Sequence, residues 1–226
     1  MSLAVPLSTM RTEVRRRANI ENSTFITDAE IDALLNEGLN EVYDLLVQAR
    51  AQEYKRSAST ITTVAGTSAY ALPSDFYELL SVDIQYGSNL VMSARPYAEF
   101  ERNMYKWLPG WQLNAPVYYR LQGNNINFIP VPSGAYSVTL NYYPAYTTLV
   151  NNSDTFDGVS GWEAYGIWFA VAACQSKHKT MDPSFAMGRV AELKRRIEGL
   201  AALRDAGNAE RVHDVTDVFD ELGRWY

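Results

Sequence analysis

The stretch Val117-Tyr118-Tyr119-Arg120-Leu121-Gln122-Gly123-Asn124-Asn125-Ile126-Asn127-Phe128-Ile129 decides the fold. Val117 to Gln122 and Ile126 to Ile129 are rich in aromatic and β-branched residues. Gly123-Asn124-Asn125 between them supplies residues that tolerate the left-handed backbone of a hairpin turn. An antiparallel hairpin is therefore predicted at this point. Working outward, Tyr136, Val138, Leu140 and Tyr142 alternate with Ser137, Thr139, Asn141 and Tyr143, the period of a strand with one buried and one polar face. Upstream, Ser57 to Val64, Ala69 to Leu72 and Glu78 to Gln85 read as further strands, separated by Ala65-Gly66-Thr67 and Leu72-Pro73-Ser74-Asp75. Pro96 to Tyr105 reads as a brief helix with Pro in its first turn. Residues 61–150 hold 11 of the 15 tyrosines, but only 4 Lys/Arg and 5 Asp/Glu, whereas the flanks carry the other 16 and 21. That composition suits a small antiparallel sandwich or barrel-like sheet.

The period changes from 2 to 3.6 on both sides of this region. Ser8 to Ile20 places Met10, Val14 and Ala18 on one stripe. Thr27-Asp28-Ala29-Glu30 is a capping box opening a helix that runs to about Tyr54, with Ile31, Leu34, Leu35, Val42, Leu45, Leu46 and Ala49 inward and Asn36, Glu37, Asn40, Glu41 and Asp44 largely opposite. After the polar loop Asn151-Asn152-Ser153-Asp154, the segment from Gly161 to Lys179 is apolar over most of its circumference, as in the central helix of a bundle. Asp182-Pro183 starts the last helix, with Val190, Leu193, Ile197 and Leu200 inward and Glu192 paired with Arg196 outside. Neither helical pair has enough partners to bury its own stripe, so the flanks are expected to form one bundle. The fold class is α+β: terminal helices in one bundle with an inserted antiparallel β domain. The expected divisions are helices at 1–56, the β insertion at 57–150, completing helices at 151–208 and an extended tail at 209–226.

At 226 residues with 47% hydrophobic and 20% charged residues, the chain has the composition of a globular protein, and no apolar run approaches the roughly 20 residues of a membrane span. Without a basic, apolar leader in Met1 to Arg11, no secretion is expected, and Asn22-Ser23-Thr24 and Asn151-Asn152-Ser153 read as chance sequons. A net charge of −6 gives no general attraction to nucleic acid, so any DNA contact needs a local patch. Arg15, Arg16 and Arg17, with Lys177 and Lys179, are the candidates, although no aromatic residue interleaves with the arginines.

Catalysis needs titratable groups gathered in a pocket, and the sequence offers few. His178 and His213 each lack a second ligand at metal spacing. Cys174 sits among Ala172, Ala173 and Gln175 as a buried core residue would, and it precludes an internal disulfide because it is the single cysteine. Ser160 stands where a helix cap is wanted. Asp75, Glu78, Asp83, Glu99 and Glu101 lie in the aromatic β region, where paired carboxylates and stacking rings would suit a glycan module, with Trp107 and Trp111 as its platforms. They read better as solvated acids. No catalytic, cofactor or metal residue is assigned, and the chain reads as a non-enzyme. The density of tyrosine favours protein contact instead.

The order of elements resembles the head-to-tail adaptor (connector) proteins of tailed bacteriophages, in particular the tail tubular A type. The likeness spans roughly residues 8–205. It is carried by Thr27-Asp28-Ala29-Glu30-Ile31 leading into Leu34-Leu35-Asn36-Glu37-Gly38, by Tyr70-Ala71-Leu72-Pro73-Ser74-Asp75-Phe76-Tyr77, by Ile129-Pro130-Val131-Pro132 followed by Leu140-Asn141-Tyr142-Tyr143, and by Gly161-Trp162-Glu163-Ala164-Tyr165. The resemblance implies a structural virion protein at the head-tail junction, assembled in the host cytoplasm. It would form a ring, usually of twelve copies, between the portal and a tail or nozzle protein, with genomic DNA passing through the lumen without specific binding. The resemblance gives the tail of the chain a portal contact, for which Phe219, Leu222, Trp225 and Tyr226 are the expected anchors. Tyr118, Tyr142 and Tyr143 are the expected tail-side contact.

Overall fold

The structure is a computed structural model, and it describes residues 4–48, 55–87, 90–98, 116–156, 161–178 and 181–201. Two compact units are present. One joins Met1–Ala51 to Thr148–Tyr226, so both ends of the chain build it, and the other is Gln52–Thr147.

The first unit contains α1 (Leu7–Arg17), α2 (Asp28–Gln48), α3 (Glu163–Lys177) and α4 (Ser184–Ala201). The first N–H groups of α1 have no partner within the helix, and carbonyls of the Asn151 to Asp154 loop supply two: Leu7 N–H donates to Asp154 O at 2.8 Å and Ser8 N–H to Asn152 O at 3.2 Å. The helix stops at Arg17, earlier than its apolar spacing predicts. Asn19 takes a left-handed φ of 54°, Ile20 N–H donates to Arg15 O, and Asn19 N–H donates to Arg16 O, which together form a Schellman cap.

In α2 the Thr27 hydroxyl accepts from Glu30 N–H at 3.3 Å, half of the expected capping box. The other half is replaced, because the Glu30 carboxylate pairs with Lys177 of α3. Ile31, Leu35, Val42 and Leu46 are buried as predicted, joined by Gly38, Leu39, Tyr43 and Val47, while Leu34 and Leu45 lie at the margin. Residues 49–54, over which this helix was expected to continue, are outside those described. Asn36, assigned to the polar face, holds the returning chain: its amide donates to Leu149 O at 3.0 Å and its carbonyl accepts from Leu149 N–H at 2.8 Å.

The two glycines Gly38 and Gly166 set the crossing of α2 and α3. A Cβ on Gly38 would lie 2.9 Å from Phe169 Cβ and 3.0 Å from Gly166 Cα, and one on Gly166 would lie 2.9 Å from Leu39. These helices approach to a distance that only hydrogen at those positions allows. In α4, Asp182 accepts from Ser184 N–H at 2.9 Å, as an N-terminal cap does. Leu193 and Ile197 are buried as predicted, but Val190 is only partly covered and Leu200 is exposed, so the buried stripe is narrower than its sequence pattern. Glu192 pairs with Arg189, three residues before it, and not with Arg196 as expected.

The second unit is a sandwich of two four-stranded sheets. Its strands are β1 (Ser57–Thr62), β2 (Ala69–Ala71), β3 (Phe76–Tyr86), β4 (Leu90–Ser93), β5 (Arg95–Pro96), β6 (Tyr118–Gln122), β7 (Asn125–Ile129) and β8 (Ser137–Pro144). The sheets run β1-β8-β3-β4 and β2-β7-β6-β5, antiparallel except for the short β5·β6 pair. Val82, Ile84, Ile126, Phe128, Val138, Leu140 and Tyr142 form the core between them.

The hairpin is present with a tighter turn than predicted. Gln122 pairs with Asn125, so two residues, Gly123 and Asn124, make the reversal, and Gly123 has φ +55°. Pro96 lies in β5 and not at a helix start, since its strand register with Tyr119 leaves no helical turn there, and residues 99–105 of that expected helix are outside those described. The predicted alternation in β8 fails at Asn141 and Tyr143, which are both buried on the polar side. Asn141 is held by a network across the sheet. Its carbonyl accepts from Arg56 at 2.7 Å, its amide donates to Ser81 and Asp83 at 2.8 Å each, and the Ser93 hydroxyl also donates to Asp83. A buried amide is tolerated here because every polar atom is satisfied.

The glycine contacts give a test in which sterics and propensity oppose each other. Alanine in an exposed helix is favoured over glycine by roughly 1 kcal/mol, so Gly188→Ala, with open space around it in α4, should raise the melting temperature. At Gly38 overpacking of about 1–3 kcal/mol outweighs that gain, so Gly38→Ala should lower it. Thermal unfolding of both variants reads the opposite signs.

Candidate interaction surfaces

The arginines of α1 are anchors of the fold. Arg15 donates to Asp28 at 2.5 Å and to the carbonyls of Ile20, Ser23 and Ile26 at 3.1–3.3 Å, organising the turn that leads into α2. Arg11 holds Asp32 through two nitrogens, at 2.8 and 2.6 Å, and that carboxylate holds its guanidinium above the usual arginine range. Arg16 and Arg17 both pair with Glu13, and Arg17 also lies 5.0 Å from the Trp168 ring centroid. A guanidinium committed to carbonyls or a carboxylate is a poor phosphate ligand, so the candidate DNA patch of the sequence is largely consumed by intramolecular pairing.

His178 ends α3 and meets Phe25 edge-on at 6.0 Å, with the Lys177 ammonium 5.0 Å from the same ring. No cluster of His, Cys, Asp or Glu among the described residues could hold a metal ion. Cys174 is buried in the helical unit, and burial pushes its thiol up to about 11, which removes the thiolate that nucleophilic chemistry requires. Tyr165 donates to Glu41 at 2.6 Å, and burial together with that carboxylate pushes its hydroxyl up. Ser160, Lys179, His213, Glu99, Glu101, Trp107 and Trp111 are outside the described residues.

Among the expected tail-side residues, Tyr142 and Tyr143 are buried, with 4% and 2% of their surface exposed. Tyr142 stacks on Phe76 at 5.7 Å and donates to Asp75 at 2.9 Å, which also gives Asp75 a structural partner. Burial pushes both tyrosine hydroxyls up. Tyr142 belongs to the core between the sheets, and Tyr143 is buried on the opposite face of β8. Tyr118 is half-buried and lies on the outward face of β6. The expected portal anchors Phe219, Leu222, Trp225 and Tyr226 are outside the described residues.

One concavity in the sandwich was not singled out by the sequence. A cleft of about 410 Å³ is lined by Phe76, Tyr77, Tyr97 and Tyr119, with Glu78 and Arg120 as its charged members. It lies where the start of β3 meets β6. Tyr119 lines the cleft, together with the next two residues of β6, and Tyr118 does not. The Tyr-Tyr doublet was the available signal, but which ring turned inward depended on the register with β7.

The pairing assignments predict that Arg15→Ala costs about 2 kcal/mol, because it orphans charge-assisted bonds. The exposed Arg16→Ala should cost under about 0.5 kcal/mol. Denaturant titration separates them, and Cys174 should ignore a thiol reagent until the chain unfolds.

The SU10 adaptor protein family matches residues 5–216, a span that runs through both the helical unit and the inserted sandwich. Comparison with curated proteins gives no match. Since the family match covers nearly the whole chain and both of its units, the chain belongs to the SU10 adaptor protein family, a family of phage adaptors.

Proposed function

We propose that this protein is a non-enzymatic head-to-tail adaptor that assembles as a ring, of about twelve copies, between the portal and the first tail or nozzle protein. The observation that carries this reading is the adaptor-family match over residues 5–216, covering both units. In this reading the helical unit and the sandwich provide the contacts to neighbouring copies and to the proteins above and below. The net charge of −6 per copy gives the ring a large negative charge, and a lumen lined by part of those acids would let duplex DNA slide without adhering.

The portal contact is assigned to the segment 209–226, whose Phe219, Leu222, Trp225 and Tyr226 supply apolar anchors beside acids that set register. The tail-side contact is assigned to the sandwich, with Tyr118 as a contact residue and Tyr142 and Tyr143 acting through the framework that presents it. A second reading, a carbohydrate-binding tail module, is favoured by one feature alone, the tyrosine-lined cleft at Tyr77, Tyr97 and Tyr119.

Deleting residues 209–226 should abolish binding to the portal protein encoded by the same genome while leaving the far-ultraviolet spectrum and melting temperature of the remaining chain unchanged. Undiminished portal binding by the truncated chain would contradict the assignment. Glycan binding lost on Tyr97→Ala would transfer support to the second reading.

A further inference from the structure

The sheet β1-β8-β3-β4 has two edges, and neither edge strand carries a charge, a bulge or a proline. In β4, Leu90, Val91 and Met92 are 54%, 63% and 44% exposed, three consecutive apolar residues on an edge strand with no charge, bulge or proline. Its backbone is half used. Ala94 N–H donates to Val82 O, which fixes the hydrogen-bonded pairs with β3 as Val82 with Ala94, Ile84 with Met92 and Tyr86 with Leu90. The N–H and C=O groups of Val91 and Ser93 therefore point away from the sheet, with no backbone partner among the described residues.

The same analysis applies at the other edge. Thr63 N–H donates to Tyr136 O, so Ser57, Ser59 and Ile61 turn their backbone groups toward β8, and Ala58, Thr60 and Thr62 turn theirs outward. The outward-pointing residues of both edges lie on one face of the sheet, the polar face of Asp83, Thr139 and Asn141. From β1 to β4 the hydrogen-bonded pairs fall on the core face, then the polar face, then the core face. A joint between β4 and a following β1 would fall on the polar face, the next step of that alternation. Strand direction also alternates, and because the sheet has four strands, β1 of a copy placed head to tail runs antiparallel to β4. An odd number of strands would fail both conditions.

We propose that β4 of one copy pairs with β1 of the next, so that this sheet continues from protomer to protomer. The proposal deepens the ring reading above and rests on it. A strand as short as Leu90–Ser93 buries far less than the roughly 1,200 Å² of a stable isolated interface, so this joint operates within a ring that other contacts also hold. It is heterologous, the kind of contact that generates rings rather than closed pairs. Strands spaced by about 4.8 Å give a repeat of about 19 Å per copy, and a dozen such repeats close a circle of about 37 Å radius, wide enough for duplex DNA.

The test combines cross-linking with an edge-blocking substitution, both performed on the full chain in the presence of the portal protein. Thr60→Cys and Val91→Cys chains are mixed and treated with a short bis-maleimide, the unsubstituted chain serving as the blank. Cross-linked dimers are expected in the mixture and not with either variant alone. Val91→Pro removes an N–H that points away from β3, so the fold and its melting temperature should persist while ring yield falls about tenfold. Rings formed by the Val91→Pro chain as readily as by the unsubstituted one, without mixed cross-links, would overturn the joint and leave the ring reading standing. Cross-linking of Val91→Cys only to itself would overturn it in favour of a two-fold contact. An unsubstituted chain that never assembles would overturn both.

Discussion

The near-contact of Gly38 with Gly166 is the constraint on which the helical unit depends. These glycines belong to opposite flanks of the chain, separated in sequence by the whole sandwich. Bringing them together closes a long loop, whose entropy grows only slowly with length, so a compact insertion adds little to the cost once it folds as its own unit. The close approach of α2 to α3 is accompanied by further ties between the flanks: Asn36 clasping Leu149, Lys177 meeting Glu30, Tyr165 meeting Glu41, and the backbone of the Asn151 to Asp154 loop satisfying the start of α1. Each tie is modest. They reinforce one another because the helix crossing has already fixed their geometry.

The sandwich follows a different economy. Its core is a layer of aliphatic and aromatic side chains between two small sheets, and its central strand β8 is buried on both faces toward its C-terminal end. That burial places Asn141 in an interior position, where the Arg56, Ser81 and Asp83 side chains replace water as its partners. It also places Tyr142 in the core between the sheets and covers Tyr143 on the opposite face. Tyrosine density in the β region therefore has two meanings in one molecule: rings that hold the sheets together, and rings such as Tyr77 that remain open at the cleft mouth.

The fold was legible where a local signal has one structural meaning. The Thr27 cap, the glycine turn at Gly123 and the Asp182-Pro183 start each specify backbone geometry through a few residues, and each lies within a residue or two of its expected place. Signals that depend on a partner were read less well. Glu30 completes a capping box in isolation but is diverted to Lys177. Asn36 looks like a solvated helix residue until Leu149 arrives. The arginines of α1 resemble a phosphate-binding run until Asp28, Asp32 and Glu13 are seen to hold them. The edge strand at Leu90 was invisible for the same reason: four residues carry too little periodicity to announce a strand, and only strand order reveals which one lies at an edge.

In the proposed reading the protein acts as one of many identical copies, so the property to test is the assembly it forms. The most direct test is the solution mass of the protein, measured by light scattering alone and then with the portal encoded by the same genome. The account predicts a ring of identical copies in at least one of these conditions, including a monomer that assembles only on the portal. A chain that stays monomeric in both would contradict it.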